Sequence, residues 1–230
     1  MRSRPGRWSA ALLALLVAAC GGPPAPTSSS AALDCPTSPP SAGQAATILA
    51  DAQRAVVSTS LGSFTIQLDP SSAPIATANF VALARCGFYD GITFHRVLAG
   101  FVAQAGDPQT KEDRGPFDAL GQGGPGYQFE VEFPTEGQPY DRYVVAMANA
   151  MQYDFASGQI TGGTDTNGSQ FFIDLDSLVG RLRPYYSVLG KVVEGTEVVD
   201  AIGGVAVNSP DQGVPVEPVI IESVTIQAGT

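Results

Sequence analysis

Residues 94–107, FHRVLAGFVAQAGD, hold the only histidine of the chain, His95, with Arg96 beside it and Gln104 further on. A histidine can act as general base or metal ligand, and an arginine as a permanently charged hydrogen-bond donor. A hydrolase triad would join His95 to a serine and an acid, but Ser169 sits in NGSQF and not in G-x-S-x-G. One histidine and no CxxC pair do not make a zinc site. DTNG at 165–168 lacks the spaced acids and terminal glutamate of a calcium loop. Glycines 121, 123, 124 and 126 do not follow a strand and open a helix, so they form no dinucleotide fingerprint. Asp174 and Asp176 read as solvated strand and loop residues. What remains is Arg96 and its apolar neighbours, set against the plainer reading of an exposed arginine on a sheet.

The elements that must position it follow from periodicity. Phe94, Arg96 and Leu98 alternate with His95 and Val97, Gly100 interrupts, and Phe101–Ala105 resumes the alternation. Two short strands joined at a glycine bring Arg96 and Gln104 to one surface. AVVSTSLGSFTIQLD (55–69) reads as a hairpin. PIATANFVALARCG carries helical spacing, preceded by the turn and capping residues Asp69-Pro70-Ser71-Ser72 and ended near Gly87. Residues 106–142 are dense in Gly, Pro and Asp and predict loop, with a short strand near YQFEVEF. YVVAMANA, SQFFIDL, SVLGKVV and VIIESVTIQ predict further strands, and EGTEVVDAI a second helix stopped by Gly203-Gly204. Many short strands with two helices predict an antiparallel barrel whose ends the helices cap.

Ahead of this domain lies a different kind of sequence. Arg2, Arg4 and Arg7 precede the apolar run AALLALLVAA (10–19), too short for a comfortable membrane span, and together they predict a signal peptide over 1–19. LVAAC resembles the lipobox of bacterial lipoproteins, which implies a lipidated Cys20 as mature N-terminus; an ordinary signal or uncleaved anchor with a chance cysteine is the alternative. GGPPAPTSSSAA is uncharged and poor in core formers, so residues 20–46 read as a lipidated start and flexible linker, and 47–230 as one domain. Without residues 1–19 nine Lys+Arg face 22 Asp+Glu, a formal charge of −13. That balance argues against nucleic acid and against electrostatic attraction to anionic lipid. With Cys20 given to lipid, Cys35 and Cys86 are left for a disulfide in an oxidising compartment, or for one buried and one exposed thiol.

The motifs resemble the cyclophilins, the peptidyl-prolyl isomerases. FHRVLAGFVAQAGDP, GQGGPGYQFEVEF, VVAMANA, NGSQFFI and SVLGKVVEGTEVVDAI are similar to segments of that family, in its order, across roughly 55–227. The resemblance implies a mainly β fold, a closed eight-stranded antiparallel barrel capped by two helices. It implies Arg96 as the catalytic arginine, oriented by Gln104. Phe101, Val102, Ala148, Asn149, Gln170, Phe172, Leu182 and Tyr186 would line the proline site, with His95 in a supporting place. No metal or cofactor is implied; the clients would be proline-containing polypeptides outside the cytoplasm, met by a lipid-anchored monomer. A cyclophilin-like module that binds proline segments with little turnover is the alternative. The chain departs from the family's pattern at Val102 and Ala105, carries Arg181-Leu182 where many members have tryptophan, and inserts MQYDFASGQITGG after ANA.

Overall fold

The computed structural model describes residues 34–111, 120–134 and 140–228. The expected signal, Cys20 and the tether to residue 33 lie outside the described residues. The element order is α1 (Ala42–Leu49), β1 (Arg54–Thr59), β2 (Gly62–Leu68), α2 (Pro74–Arg85), β3 (Arg96–Leu98), β4 (Val102–Ala105), a 3₁₀ turn (Pro108–Thr110), β5 (Val144–Met147), β6 (Gln152–Tyr153), β7 (Ile160–Gly162), β8 (Phe171–Asp174), β9 (Val188–Glu194), α3 (Thr196–Gly203) and β10 (Ile221–Gln227).

Eight strands form one antiparallel sheet in the order β10-β1-β2-β9-β5-β8-β4-β3, and β6 pairs with β7 apart from it. The sheet curls until its ends meet. Residues just before β3 bond to residues around the start of β10, through a Thr93–Ile220 bridge and bonds from Gly91 N–H to Ile221 O and Phe94 N–H to Val219 O. Closure of the expected barrel is thus a short backbone seam between the end strands. Inside lie Phe64, Ile66, Phe80, Leu83, Phe94, Phe171, Ile173 and Leu189, nearly all sealed from solvent.

Three local expectations need correction. Among the described residues there are three α-helices, not two: residues read as linker up to 46 are helical from Ala42. Ser41 and Gln44 form a capping box there, and Arg85 of α2 donates to Ile48 O and to the Asp51 carboxylate. Second, α2 has Ala73 at its N-cap, and Ser71 bonds to Asp69 within the preceding turn. The helix's N–H groups of Ile75 and Ala76 instead reach the Glu132 carboxylate, at 3.1 and 2.8 Å. Third, that use of Glu132 is why YQFEVEF is no strand. Phe129 makes one bridge to Asn167, and then Glu132 turns toward Ser187 Oγ and the helix end. A disulfide joins Cys35 to Cys86 at the C-cap of α2, with Cα atoms 5.2 Å apart.

Candidate functional site

Register places the site. On the outer face of the sheet Arg96 pairs with Gln104, Gln104 with Phe172, Phe172 with Ala146, and Ala146 with Val188. These residues form one cross-strand row running through β3, β4, β8, β5 and β9. Because side chains alternate along a strand, a slip of one residue would send Arg96 into the barrel interior. Gly106 guards that register. Its φ of +99° is one that L side chains rarely adopt, and a Cβ there would collide with the backbone of Ser169 and Gln170. Ala105, by contrast, is a buried position that accepts a methyl group.

Beside the row opens a groove of about 150 Å³ lined by Arg96, Phe101, Val102, Gln104, Ala148, Asn149, Phe172, Leu182 and Tyr186. Its floor is apolar: Phe172 is nearly buried and meets Tyr186 edge-on, ring centroids 5.2 Å apart. Its polar end is a directional chain. Arg96 Nη1 donates to Gln104 Oε1 at 3.4 Å, Gln104 Nε2 to Gln170 Oε1 at 2.9 Å, and Gln170 Nε2 to Gly123 O at 2.8 Å. Burial lowers the Arg96 pKa and the Tyr186 hydroxyl opposes this; a guanidinium stays charged at neutral pH regardless. Burial raises the Tyr186 pKa, Tyr153 adds to the rise and Arg96 works against it. The arrangement presents a fixed cation donor, Arg96, beside an apolar-floored slot of about 150 Å³.

Of the residues expected from sequence, nine line this groove and Gln170 joins it through Gln104. His95 does not line it. The ring is buried, neither nitrogen has a hydrogen-bond partner among the described residues, and burial lowers its pKa to about 4. Asp174 is no solvated residue. It lies on the outer face one row from Phe172, paired with Val102, yet is fully buried with both carboxyl oxygens unpartnered among the described residues. Burial, with a smaller push from Asp141, raises its pKa to about 8. Tyr143 N–H donates to Asp174 O at 2.8 Å and Tyr140 lies close enough for Asp174 to bear on its ionisation, neighbours that a sequence pattern of alternation does not reveal.

Sequence reasoning missed two contributors. The Tyr140 hydroxyl donates to Tyr186 O and accepts from Tyr186 N–H, at 2.9 and 3.0 Å, so it fixes the backbone of a groove residue. It sits in a Pro- and Gly-rich loop with no periodicity to mark it. Asp107 accepts from Gly121 N–H and Gly123 N–H and so holds the glycine loop against Gln170. An Asx pattern before the 3₁₀ turn, where Asp107 also accepts from Gln109 N–H, was its one legible sign.

The comparisons agree with this geometry. The family described as "Cyclophilin type peptidyl-prolyl cis-trans isomerase/CLD" matches residues 54–226. Peptidyl-prolyl cis-trans isomerase A of Mycobacterium tuberculosis is 38% identical over 189 residues, covering 75% of this chain and 91% of that protein. Peptidyl-prolyl cis-trans isomerase-like 3 of Dictyostelium discoideum is 37% identical over 173 residues, 74% of this chain and 92% of its own. A crystal structure of a cyclophilin-type isomerase from Cryptosporidium parvum superposes with a TM-score of 0.63 at 29% identity, covering 78% of this chain and 99% of that one. Fold, groove and sequence together make this chain a member of the cyclophilin-type peptidyl-prolyl cis-trans isomerases.

Proposed function

We propose that the domain accelerates X–Pro rotation in exported polypeptides by donating a hydrogen bond from Arg96 to the prolyl nitrogen. Amide resonance sets a barrier of about 18–20 kcal/mol to this rotation. Twisting the bond removes double-bond character and localises a lone pair on nitrogen. A donor aimed at that lone pair binds the twisted state better than the planar one, which is the condition for catalysis. The apolar floor of Phe101, Val102 and Phe172 takes the pyrrolidine ring out of water. Gln104, tied onward to Gln170 and Gly123, holds the guanidinium at the slot's polar end. The single observation that carries this reading is the row Arg96–Gln104–Phe172, which sets donor, positioner and apolar floor side by side.

The test is isomerisation kinetics of X–Pro peptides. Arg96→Ala is expected to lower kcat/KM by roughly 10²–10³ with an unchanged circular dichroism spectrum. Lysine should rescue only in part, since a point charge cannot reproduce the planar fork. A variant that keeps most of the parent's rate would overturn the mechanism.

The N-terminal sequence bears on the place of action: a basic start, a short apolar run, Cys20 and an uncharged stretch support export and lipid anchoring of the domain. A Cys35–Cys86 disulfide is in keeping with an oxidising compartment. Cys20→Ser is expected to release the protein from membranes or leave its precursor uncleaved. Fractionation and migration identical to the parent would refute the anchor.

A further inference from the structure

The insertion between β5 and β8 is a built element. β6 and β7 pair, and the loop between them is closed by Asp154 N–H to Gln159 O, Gly158 N–H to Asp154 O and the Asp154–Ser157 bonds. None of those bonds uses the ring of Phe155, which is 82% exposed at the tip and stacks against Tyr153 with centroids 4.9 Å apart. Tyr153 in turn meets Tyr185 at 5.3 Å, and Tyr185 meets the half-exposed Phe133 at 6.4 Å. Four aromatic rings thus meet in series, two from the insertion, Tyr185 from the segment flanking the groove and Phe133 from the chain after Glu132.

That series is fastened to the groove wall. The Tyr185 hydroxyl donates to Gly158 O at 2.6 Å, and Arg183 reaches Phe155 O at 3.3 Å while lying 5.6 Å from the Tyr153 ring. Asn149, a groove residue, donates to Tyr185 O at 2.8 Å, and Tyr186, the next residue, lines the groove itself. Tyr153 is close enough to Tyr186 to bear on its ionisation. A proline seated in the slot would therefore carry its neighbouring residues across these rings.

We infer that the β6–β7 hairpin, through Tyr153 and Phe155 with Tyr185 and Phe133, is a specificity subsite that takes an aromatic side chain of the client beside the proline held in the groove. The inference rests on the proline-isomerase reading. Its physical basis is continuity with the groove, and rings already held in place, so that little order is lost on binding. An aromatic ring on such a surface gains contact area and edge or offset stacking beyond what an aliphatic chain gains. The contact forms equally in the planar and twisted states, so it acts on KM and leaves kcat nearly unchanged.

The experiment compares pairs of X–Pro peptides that differ only in Phe against Gly, scanned over the positions flanking the proline. The parent should prefer Phe at one flanking position by roughly five- to tenfold in KM. In Y153A/F155A, and in F155A alone to a lesser degree, that ratio should fall toward one. Phe155 is so exposed that its removal takes nothing from the core. Calorimetric affinities of the same peptides for an Arg96→Ala protein carry the same ratio. A parent protein that gave no isomerisation yet kept the affinity ratio would thus sink the isomerase reading and uphold the subsite. A ratio near one in the parent, or one that survives the double substitution, would overturn the subsite. So would a hairpin that proves, by sedimentation, to hold a second copy of the chain while peptide preference stays unchanged.

Discussion

The two faces of strands β4, β5, β8 and β9 differ in what their apolar residues do. Ala103, Val145, Met147, Phe171, Ile173 and Leu189 point inward and fill the barrel. Val102, Val144, Ala146, Phe172 and Val188, their alternate neighbours, point outward and build a second, smaller cluster with Tyr140 and Leu178. On β1, β2 and β10 the outward positions include Arg54, Ser58, Gln67 and Glu222, a surface fit for water. The same pleat thus yields an ordinary solvated face on one side of the barrel and a half-finished core on the other. The lesson is that an outward apolar row left open at one end is a place for something else to complete.

The largest effect should come from adjacent residues on opposite faces. Phe171→Ala, inside, is expected to cost about 3–5 kcal/mol of unfolding free energy. Phe172→Ala, outside, borders open space and should cost distinctly less in denaturant unfolding while raising KM roughly tenfold. Equal destabilisation by both, with KM unmoved by the outer one, would erase the distinction between core and groove.

A second way to sharpen the contrast is Asp174, the carboxyl sealed beneath the outer cluster. Its pKa is raised from 3.8 to about 8, so the folded state holds a proton that the unfolded chain has released. Stability from this group is full below about pH 4 and falls as pH rises to about 8. His95 acts with the opposite sign: lowered from 6.5 to about 4, its contribution is present above 6.5 and lost as pH falls toward 4. The two trends offset one another between about 4 and 6.5, and Asp174 alone acts from there to about 8. Asp174→Asn should therefore gain on the order of 5 kcal/mol over the parent at pH 9 relative to the same comparison at pH 4. The cost of burying an amide cancels in that difference. Parallel stability curves for the two proteins would show that the carboxyl finds solvent or a partner.

Much of this was legible before any coordinates. Alternation through 94–105 put Arg96 and Gln104 on one face because a strand has a period of two and the barrel demands an apolar interior. YVVAMANA was legible as a buried strand from its apolar run, and SQFFIDL as a strand that begins after the Asn167-Gly168 turn. What escaped depends on contacts made far along the chain. Glu132 looked like an acidic strand residue and proves to be a helix cap 56 residues from its partner Ala76. The helix at Ala42–Leu49 was announced by the capping box Ser41-Ala42-Gly43-Gln44, but its apolar stripe is too short to stand out from the Pro- and Ser-rich sequence before it. Asp174 misled most, since nothing in SQFFIDLD tells an aspartate under a loop from one in water.

The Cys35–Cys86 bridge changes how tension would travel through the molecule. A pull on the chain ahead of Cys35 does not run along the backbone into α1. It crosses sulfur to sulfur and enters at the end of α2, which is seated against the barrel core through Phe80 and Leu83. The stretch between the two cysteines, residues 36–85 with α1, the β1–β2 hairpin and α2 among them, is bypassed by the bridge. Reduction would place α1 in that line, where a short amphipathic helix can be peeled one turn at a time. The domain is thus protected at the joint where a load applied ahead of Cys35 would first be felt.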